Sequence, residues 1–477
     1  MIGGRGDNRA AKRSMTLTQD TGAAATTRET TTAAAITLLL ECDRPLAGSS
    51  RHPLAGVHEV VIGRAESERT VVRVEGDRFV SLELGVPDAR ISSEHARLVV
   101  DIDQWVVEDL GSKNGIKVNG VSRSRAVVGD GDLIEVGHTA FLFRGPQPAS
   151  SPSPASGHAS PQPPGLVTSL PTLARAFDDL AQVTSTATSI LLIGETGTGK
   201  ELVARAVHAL AARAGAFIAV NCGALPATLV ESELFGYTKG AFSGAMSDRL
   251  GFVRSADRGT LFLDEIGDLS PSSQGTLLRV LQERVVTPLG SSQQIGVDLR
   301  VVAATHHDLV AMLEAGTFRR DLYARIAGFT LRLPAVRERR EDLGLLIAAL
   351  LPRVAPGRAD KVQLSCEALR ALVEHDWPHN VRELEACLGV AVALARGGPV
   401  RIEHLPESVR DGSPAESPGI SGQRLSAADE QRRDELEALL VTHGGNISAV
   451  ARVSGKARTQ IQRWMKRFGL DSERFRR

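Results

Sequence analysis

Two short stretches carry residues suited to work on a phosphoanhydride. The first is Gly194-Glu195-Thr196-Gly197-Thr198-Gly199-Lys200. An apolar run, Ile190 to Ile193, precedes it, and a helical pattern, Leu202 to Leu210, follows. Strand, G-x-x-x-x-G-K loop and helix, in that order, cradle phosphates. The glycines let backbone N–H groups close on phosphate oxygens, and the helix N-terminus adds partial positive charge. Lys200 is placed to reach the β- and γ-phosphates. Glu201 stands where a hydroxyl ligand for Mg²⁺ is usual. The second stretch is Gly259 to Glu265, an apolar run ending in two carboxylates. Downstream of such a loop the pair divides its work. Asp264 is expected to hold Mg²⁺, directly or through water, and Glu265 to orient and polarise an attacking water.

Further buried strands must hold these two stretches side by side. Ala216–Val220, Leu299–Ala304 and Phe329–Leu333 read as such strands. With helices between them they predict a parallel sheet with right-handed crossovers over residues 166–410.

The rest of the chain has a different character. Residues 1–35 are mostly Thr, Ala, Arg and Gly and are expected to be disordered. Residues 36–144 show short alternating runs separated by turn residues, such as Asn-Gly at 114–115 and 119–120. That spacing predicts a β-sandwich. Residues 145–165 and 411–424 are rich in Pro, Ser and Gly and read as linkers. Residues 425–477 read as helical. In their last helix Ile461, Trp464, Met465 and Phe468 fall on one face. Arg458, Thr459, Gln462, Arg463 and Lys466 occupy the other.

Lys and Arg number 56, as do Asp and Glu, so no whole-chain field draws nucleic acid or membrane. Any such surface must be local, like the basic face of that last helix. Cys42, Cys222, Cys366 and Cys387 are scattered, which favours free thiols in a reducing compartment. No apolar run approaches the ~18 residues of a membrane span. The expected location is the cytoplasm.

Three families are resembled, in order along the chain. Gly63-Arg64, Ser92-Ser93-Glu94-His95 and Leu110-Gly111-Ser112-Lys113-Asn114-Gly115 resemble the binding loops of forkhead-associated (FHA) domains. The resemblance implies a phosphothreonine reader. In it Arg64 and Ser92 bind phosphate, Asn114 holds the peptide backbone, His95 braces the loops, and Ser93 stands where Arg or Asn is usual. An arginine fork and a hydroxyl suit a dianionic phosphate.

Residues from about 169 to 407 resemble the AAA+ domain of bacterial enhancer-binding proteins, the ATPases that activate sigma-54 RNA polymerase. The most specific match is Gly240-Ala241-Phe242-Ser243-Gly244-Ala245, close to the family's G-A-F-T-G-A loop. In the family this loop touches sigma-54 with its phenylalanine. Ser243 keeps the hydroxyl of the usual Thr. The resemblance further implies ATP and Mg²⁺ at the phosphate loop and a homo-oligomer, a hexameric ring when active. Arg319 and Arg325 would be the arginine fingers. Asn221 would restrain the catalytic glutamate, Thr305 would close the sensor strand with His306 in place of Asn, and Arg382 would sense nucleotide from the lid. The family commonly carries Glu at position 201.

The tail resembles a Fis-type helix-turn-helix, which implies a third helix in the DNA major groove. Together these features point to an ATP-dependent transcription activator bound at enhancer DNA, with an FHA input from a phosphothreonine protein or from the chain's own N-terminal threonines. A phosphopeptide-regulated remodeller of another target, or a DNA-bound scaffold, fits the same motifs.

If Arg463 reads a base, Arg463→Ala should lower specific DNA binding by about 1–3 kcal/mol and non-specific binding much less. Titrations against an enhancer site and against scrambled DNA decide; an equal loss on both would place it on phosphate.

Overall fold

The computed structural model describes residues 32–410 apart from 77–78, 103, 149–165 and 227–228, and, in the tail, 436–454, 461, 464 and 465. The first domain is a sandwich of two six-stranded sheets. One sheet runs Ser50–Pro53, Thr32–Glu41, Thr139–Pro148, Leu133–Val136, Ile116–Val118, Val121–Arg123. The other runs Arg125–Val128, Gln104–Asp109, Ala96–Asp101, Glu59–Arg64, Val80–Val86, Thr70–Glu75. Alternate residues face inward, as Val60 and Ile62 do, and meet Ile36, Leu98, Ile116 and Phe141 in one core.

Two expected boundaries move. The first strand starts at Thr32, inside the stretch expected to be disordered, and the last runs through Pro148, inside the expected linker. The reason is mutual: these two strands pair antiparallel from Glu41↔Thr139 out to Thr32↔Pro148, so each satisfies the other's backbone groups. Four short strands escaped the sequence reading: Ser50–Pro53, Ile116–Val118, Val121–Arg123 and Arg125–Val128. At three or four residues they are too short to show a period.

The second domain holds a five-stranded parallel sheet. Its order is Phe217–Asn221, Thr260–Asp264, Arg300–Thr305, Ile190–Ile193, Phe329–Arg332. Both faces are covered, which is why its strands read as unbroken apolar runs. Leu191, Leu261, Val301 and Ala303 belong to one core; Ile190, Phe262, Val302 and Leu331 belong to the other. A helical lid follows, built on Leu343–Val354, Cys366–Glu374 and Asn380–Leu394 around buried Trp377.

The sandwich is docked on that lid. Leu39, Leu40, Cys42, Leu133 and Ala140 share one apolar core with Val336, Leu343, Ile347 and Leu369. A register shift between Leu38 and Leu40 turns two successive leucines to the lid. A Cβ on Gly344 would sit 1.9 Å from the Leu39 carbonyl, so only glycine lets helix Leu343–Val354 come this close. Two forked ion pairs frame the contact. Arg144 donates to Glu341 at 2.6 and 2.8 Å, and Arg370 to Glu135 at 2.8 and 2.9 Å. The Leu364 N–H donates to the Cys42 carbonyl at 2.8 Å.

In the tail, residues 436–442 and Ile447–Ser454 are helical. Leu436, Leu440 and Val450 bury against Ile461 and Met465. Phe468 lies outside the described residues.

Arg370→Ala leaves Glu135 buried without its partner and should weaken the docking by on the order of 3 kcal/mol. The Leu364 amide should then exchange with solvent roughly a hundredfold faster. An unchanged exchange rate would show that the ion pair does not hold the domains together.

Candidate functional site

The phosphate loop wraps a helix start, and the lid grips it from outside. Lys200 opens helix Lys200–Leu210. Gly197 and Gly199 sit at φ +80° and +105°, which side-chain-bearing residues rarely adopt. Gly197 is needed twice, because a Cβ there would lie 2.2 Å from the His379 carbonyl. Across this close approach the Val381 N–H donates to the Gly197 carbonyl at 3.0 Å. Asn380 is buried at φ +55°, a strained position for a non-glycine residue. Three hydrogen bonds hold it there. Its Nδ2 donates to the Thr196 carbonyl and to Glu195 Oε2, each at 3.1 Å, and its Oδ1 accepts from Val336 N at 2.9 Å. Arg382, two residues on, packs its Cβ beside Gly197.

Glu195 and Thr198 serve the loop's shape. The Glu195 carboxylate takes a forked pair from Arg337, which holds it below the usual carboxylate range. The Thr198 hydroxyl donates to the Glu195 carbonyl at 2.8 Å. Lys200 is buried, and burial lowers the pKa of its ammonium. It donates to the Gly194 carbonyl at 2.8 Å and lies 3.8 Å from Glu265. Glu201 is exposed and pairs with Arg205 at 2.7 Å along the same helix.

The two carboxylates close the strand beside this loop. Burial, with the neighbouring Glu265, pushes the Asp264 carboxyl up. Glu265 leaves the strand at φ 54°, ψ 51°, in the left-handed region, which turns its side chain toward Lys200. His306 holds that carboxylate, donating its N–H at 3.2 Å and placing Nδ1 2.7 Å from Oε2. Asn221, expected to restrain the glutamate, bonds elsewhere in this structure. Its Oδ1 accepts from Ala224 N at 3.0 Å and caps a turn, while the imidazole reaches Glu265 from the next strand. Thr305 is buried; its carbonyl accepts from Gly194 N at 3.1 Å and its hydroxyl from His307 N at 3.0 Å. Sequence reasoning missed Arg337, Asn380, His307 and Asp268 as neighbours of the site. No local pattern marks Arg337, which arrives from an element distant in sequence; Asp268 closes the short turn Ile266–Asp268 just past Glu265.

Arg319, just before helix Arg320–Ile326, and Arg325, in its last turn, are both exposed. Arg319 forks onto Asp321 at 3.0 and 2.7 Å, and Arg325 donates to the Leu281 carbonyl at 3.1 and 3.2 Å. Among the described residues neither bonds to the phosphate loop or to Asp264 and Glu265 of its own chain.

Gly240–Ala245 forms a tight hairpin on the same domain. Gly240 N donates to the Ala245 carbonyl at 2.9 Å, and Ala245 N to the Phe242 carbonyl at 3.0 Å. Gly240 and Gly244 take φ +84° and +106°. Phe242 is 42% exposed and meets Tyr237 edge-on, with ring centroids 4.9 Å apart. The Ser243 hydroxyl makes no hydrogen bond among the described residues. Backbone bonds and the two glycines set the loop's shape.

The sandwich gathers its candidate residues on three neighbouring loops. Arg64 N donates to the Ser92 carbonyl at 2.9 Å, and Lys113 N to the Ser92 hydroxyl at 3.4 Å. Asn114 Nδ2 donates to the Arg90 carbonyl at 2.7 Å. Buried His95 ties the loops together: its Nδ1 accepts from Ser92 N, and its Nε2 meets the Gly115 carbonyl at 3.0 Å. Ser93 is exposed, with its carbonyl pressed against Gly63. The Arg64 side chain is exposed and has no ion pair among the described residues. Arg458, Thr459, Gln462, Arg463 and Lys466 lie outside the described residues.

Comparison with known proteins places three segments. Residues 166–332 match the sigma-54 interaction domain, 337–421 the AAA+ ATPase lid domain and 60–137 the FHA domain. The chain is 40% identical over 312 residues to the transcriptional regulatory protein GlrR of Escherichia coli K12, covering 65% of this chain and 69% of that one. It is 41% identical over 296 residues to the Nif-specific regulatory protein of Azotobacter vinelandii, covering 61% and 56%. A crystal structure of NtrX from Brucella abortus in complex with ATP is 30% identical, with a TM-score of 0.47 over 64% of this chain and 69% of that one. No helix among the described residues is long and apolar enough to cross a membrane. A phosphate loop gripped by an AAA+ lid, on a domain that also carries the Phe242 hairpin, thus belongs to the family of transcriptional regulators with a sigma-54 interaction domain.

Proposed function

We propose that the chain is a cytoplasmic, ATP-driven activator that binds enhancer DNA and remodels sigma-54 RNA polymerase into the open complex. One observation carries this reading. Lys200, which is buried, and the half-buried Asp264 and Glu265 lie on the same domain as an exposed aromatic hairpin with no catalytic groups of its own. Chemistry and contact are separate on that domain, as a machine that spends hydrolysis on moving a partner requires.

The residues fit ATP with Mg²⁺. Two adjacent carboxylates stand beside one buried ammonium, which lies 3.8 Å from Glu265, and their surplus negative charge suits a further cation. Asp264 would hold the ion, which when bound neutralises charge on the β- and γ-phosphate oxygens. The loop N–H groups from Gly197 to Lys200 and the Lys200 ammonium would bind those oxygens. Glu265, steadied by His306, would take the proton side of the attacking water. Arg382, beside Gly197, would report the bound phosphates to the lid. Arg319 and Arg325 would complete the neighbouring subunit's site, which makes a ring, in this family a hexamer, the active form.

Input and address lie at the two ends of the chain. Arg64, Ser92 and Asn114 would read phosphothreonine on a partner or on the chain's own N-terminal tail, with Ser93 setting peptide choice. Arg458, Thr459, Gln462, Arg463 and Lys466 would face DNA on a Fis-type third helix.

Glu265→Gln should keep ATP affinity and lose turnover by at least about a hundredfold, whereas Lys200→Ala should weaken binding itself. Nucleotide titration and phosphate release separate the two; normal turnover in Glu265→Gln would remove it from the chemistry.

Phe242→Ala should hydrolyse ATP like the parent and form no open complex on a sigma-54 promoter. Arg325→Ala subunits, inactive alone, should regain turnover when mixed with Lys200→Ala subunits, because intact half-sites then meet. Full promoter opening by Phe242→Ala would remove Phe242 from the productive contact with sigma-54.

A further inference from the structure

Two consecutive histidines, His306 and His307, directly follow the strand Arg300–Thr305. In an extended strand successive side chains point to opposite faces. Here the chain bends at once, with the His307 N–H capped by the Thr305 hydroxyl at 3.0 Å. The bend brings both imidazoles to the same side, with ring centroids 4.1 Å apart. There they meet Glu265, and one ligand-type atom from each of Glu265, His306 and His307 lies within 4.8 Å of the others. Four-coordinate Zn²⁺, with bonds of about 2.0–2.1 Å to nitrogen and oxygen, separates its ligand atoms by roughly 3.4 Å. Small side-chain rotations close that difference.

The donor set selects the kind of ion. Mg²⁺ takes oxygen ligands and keeps its waters. Two imidazoles with one carboxylate suit Zn²⁺, Co²⁺, Ni²⁺ or Cu²⁺. The surroundings fit as well. A metal-ligating imidazole commonly passes its other ring N–H to a carboxylate, and Asp268 stands 2.9 Å from His307 Nε2. His306 is 43% exposed, which leaves an entry path from solvent.

We propose that Glu265, His306 and His307 form a binding site for a divalent transition metal of the Zn²⁺ type, separate from the Mg²⁺ ligand Asp264. Occupancy takes the Glu265 carboxylate away from the attacking water. The ion therefore stops hydrolysis while nucleotide still binds. The effect on turnover rests on the hydrolytic role proposed for Glu265; the binding of the ion does not.

The full-length chain with excess Mg²⁺ is dialysed against ZnCl₂, and Co²⁺ serves as a visible-absorption probe of the same site. One Zn²⁺ per chain is expected, with four-coordinate Co²⁺ bands and turnover falling in step with occupancy. His307→Gln keeps a donor to Asp268 but removes a metal ligand. It should retain basal turnover and bind Zn²⁺ at least about tenfold more weakly. Equal binding by parent and His307→Gln, or no binding below millimolar Zn²⁺, overturns the site. Equal inhibition of both forms puts the ion on Asp264 in competition with Mg²⁺ and overturns it too. Full occupancy with undiminished turnover overturns the inhibitory effect, and Glu265→Gln, measured alone, then tells whether the hydrolytic assignment has failed with it.

Discussion

Asn380 holds the lid to the phosphate loop, and much of the rest is arranged around that contact. Its backbone sits where side-chain-bearing residues seldom go, at a cost of order 1–3 kcal/mol. Bonds to Thr196, Glu195 and Val336 offset the cost. Gly197 is bare so that the His379 carbonyl can approach. Arg337 neutralises Glu195, which would otherwise stand as an extra negative charge where phosphates bind. Any change at the phosphates therefore meets the lid directly.

The sandwich touches the other side of the same lid. Val336, whose N–H is bonded to Asn380, lies in the apolar core that also takes in Leu39 and Leu40 of the sandwich. The path from the sandwich to the phosphate loop is thus short and contiguous: sandwich strand, lid core, Val336, Asn380, Thr196. The loops that carry Arg64, Ser92 and Asn114 are on different segments from those that touch the lid.

Around Glu265 two demands meet in little space. The role proposed for Glu265 needs a carboxylate free to polarise water, yet His306 bonds it, and the His307 ring lies beside that of His306. A neutral imidazole offers one donor and one acceptor, so His306 can hold the carboxylate in place of the amide expected from Asn221.

Local sequence determined a good deal here, because the relevant physics is local. The glycine spacing of 194–200, the carboxylate pair at 264–265, the alternation of 36–144 and the unbroken apolar strands of the parallel sheet each arise from near neighbours along the chain. The parallel order of that sheet followed from helices placed between its strands. Tertiary structure alone decided the rest. The pairing of Thr32–Glu41 with Thr139–Pro148 joins segments about a hundred residues apart, so the true ends of the sandwich left no local sign. Its docking on the lid depends on a register shift at Leu38–Leu40, on Gly344 and on two ion pairs spanning the domains. Composition cannot show which charges end up opposite each other. Asn221 and His306 both close strands next to Glu265, and motif position favoured the first. Only the positive φ of Glu265 and the turn at Asn221 aimed the carboxylate at the second, because backbone dihedrals are set by packing that one segment of sequence does not contain.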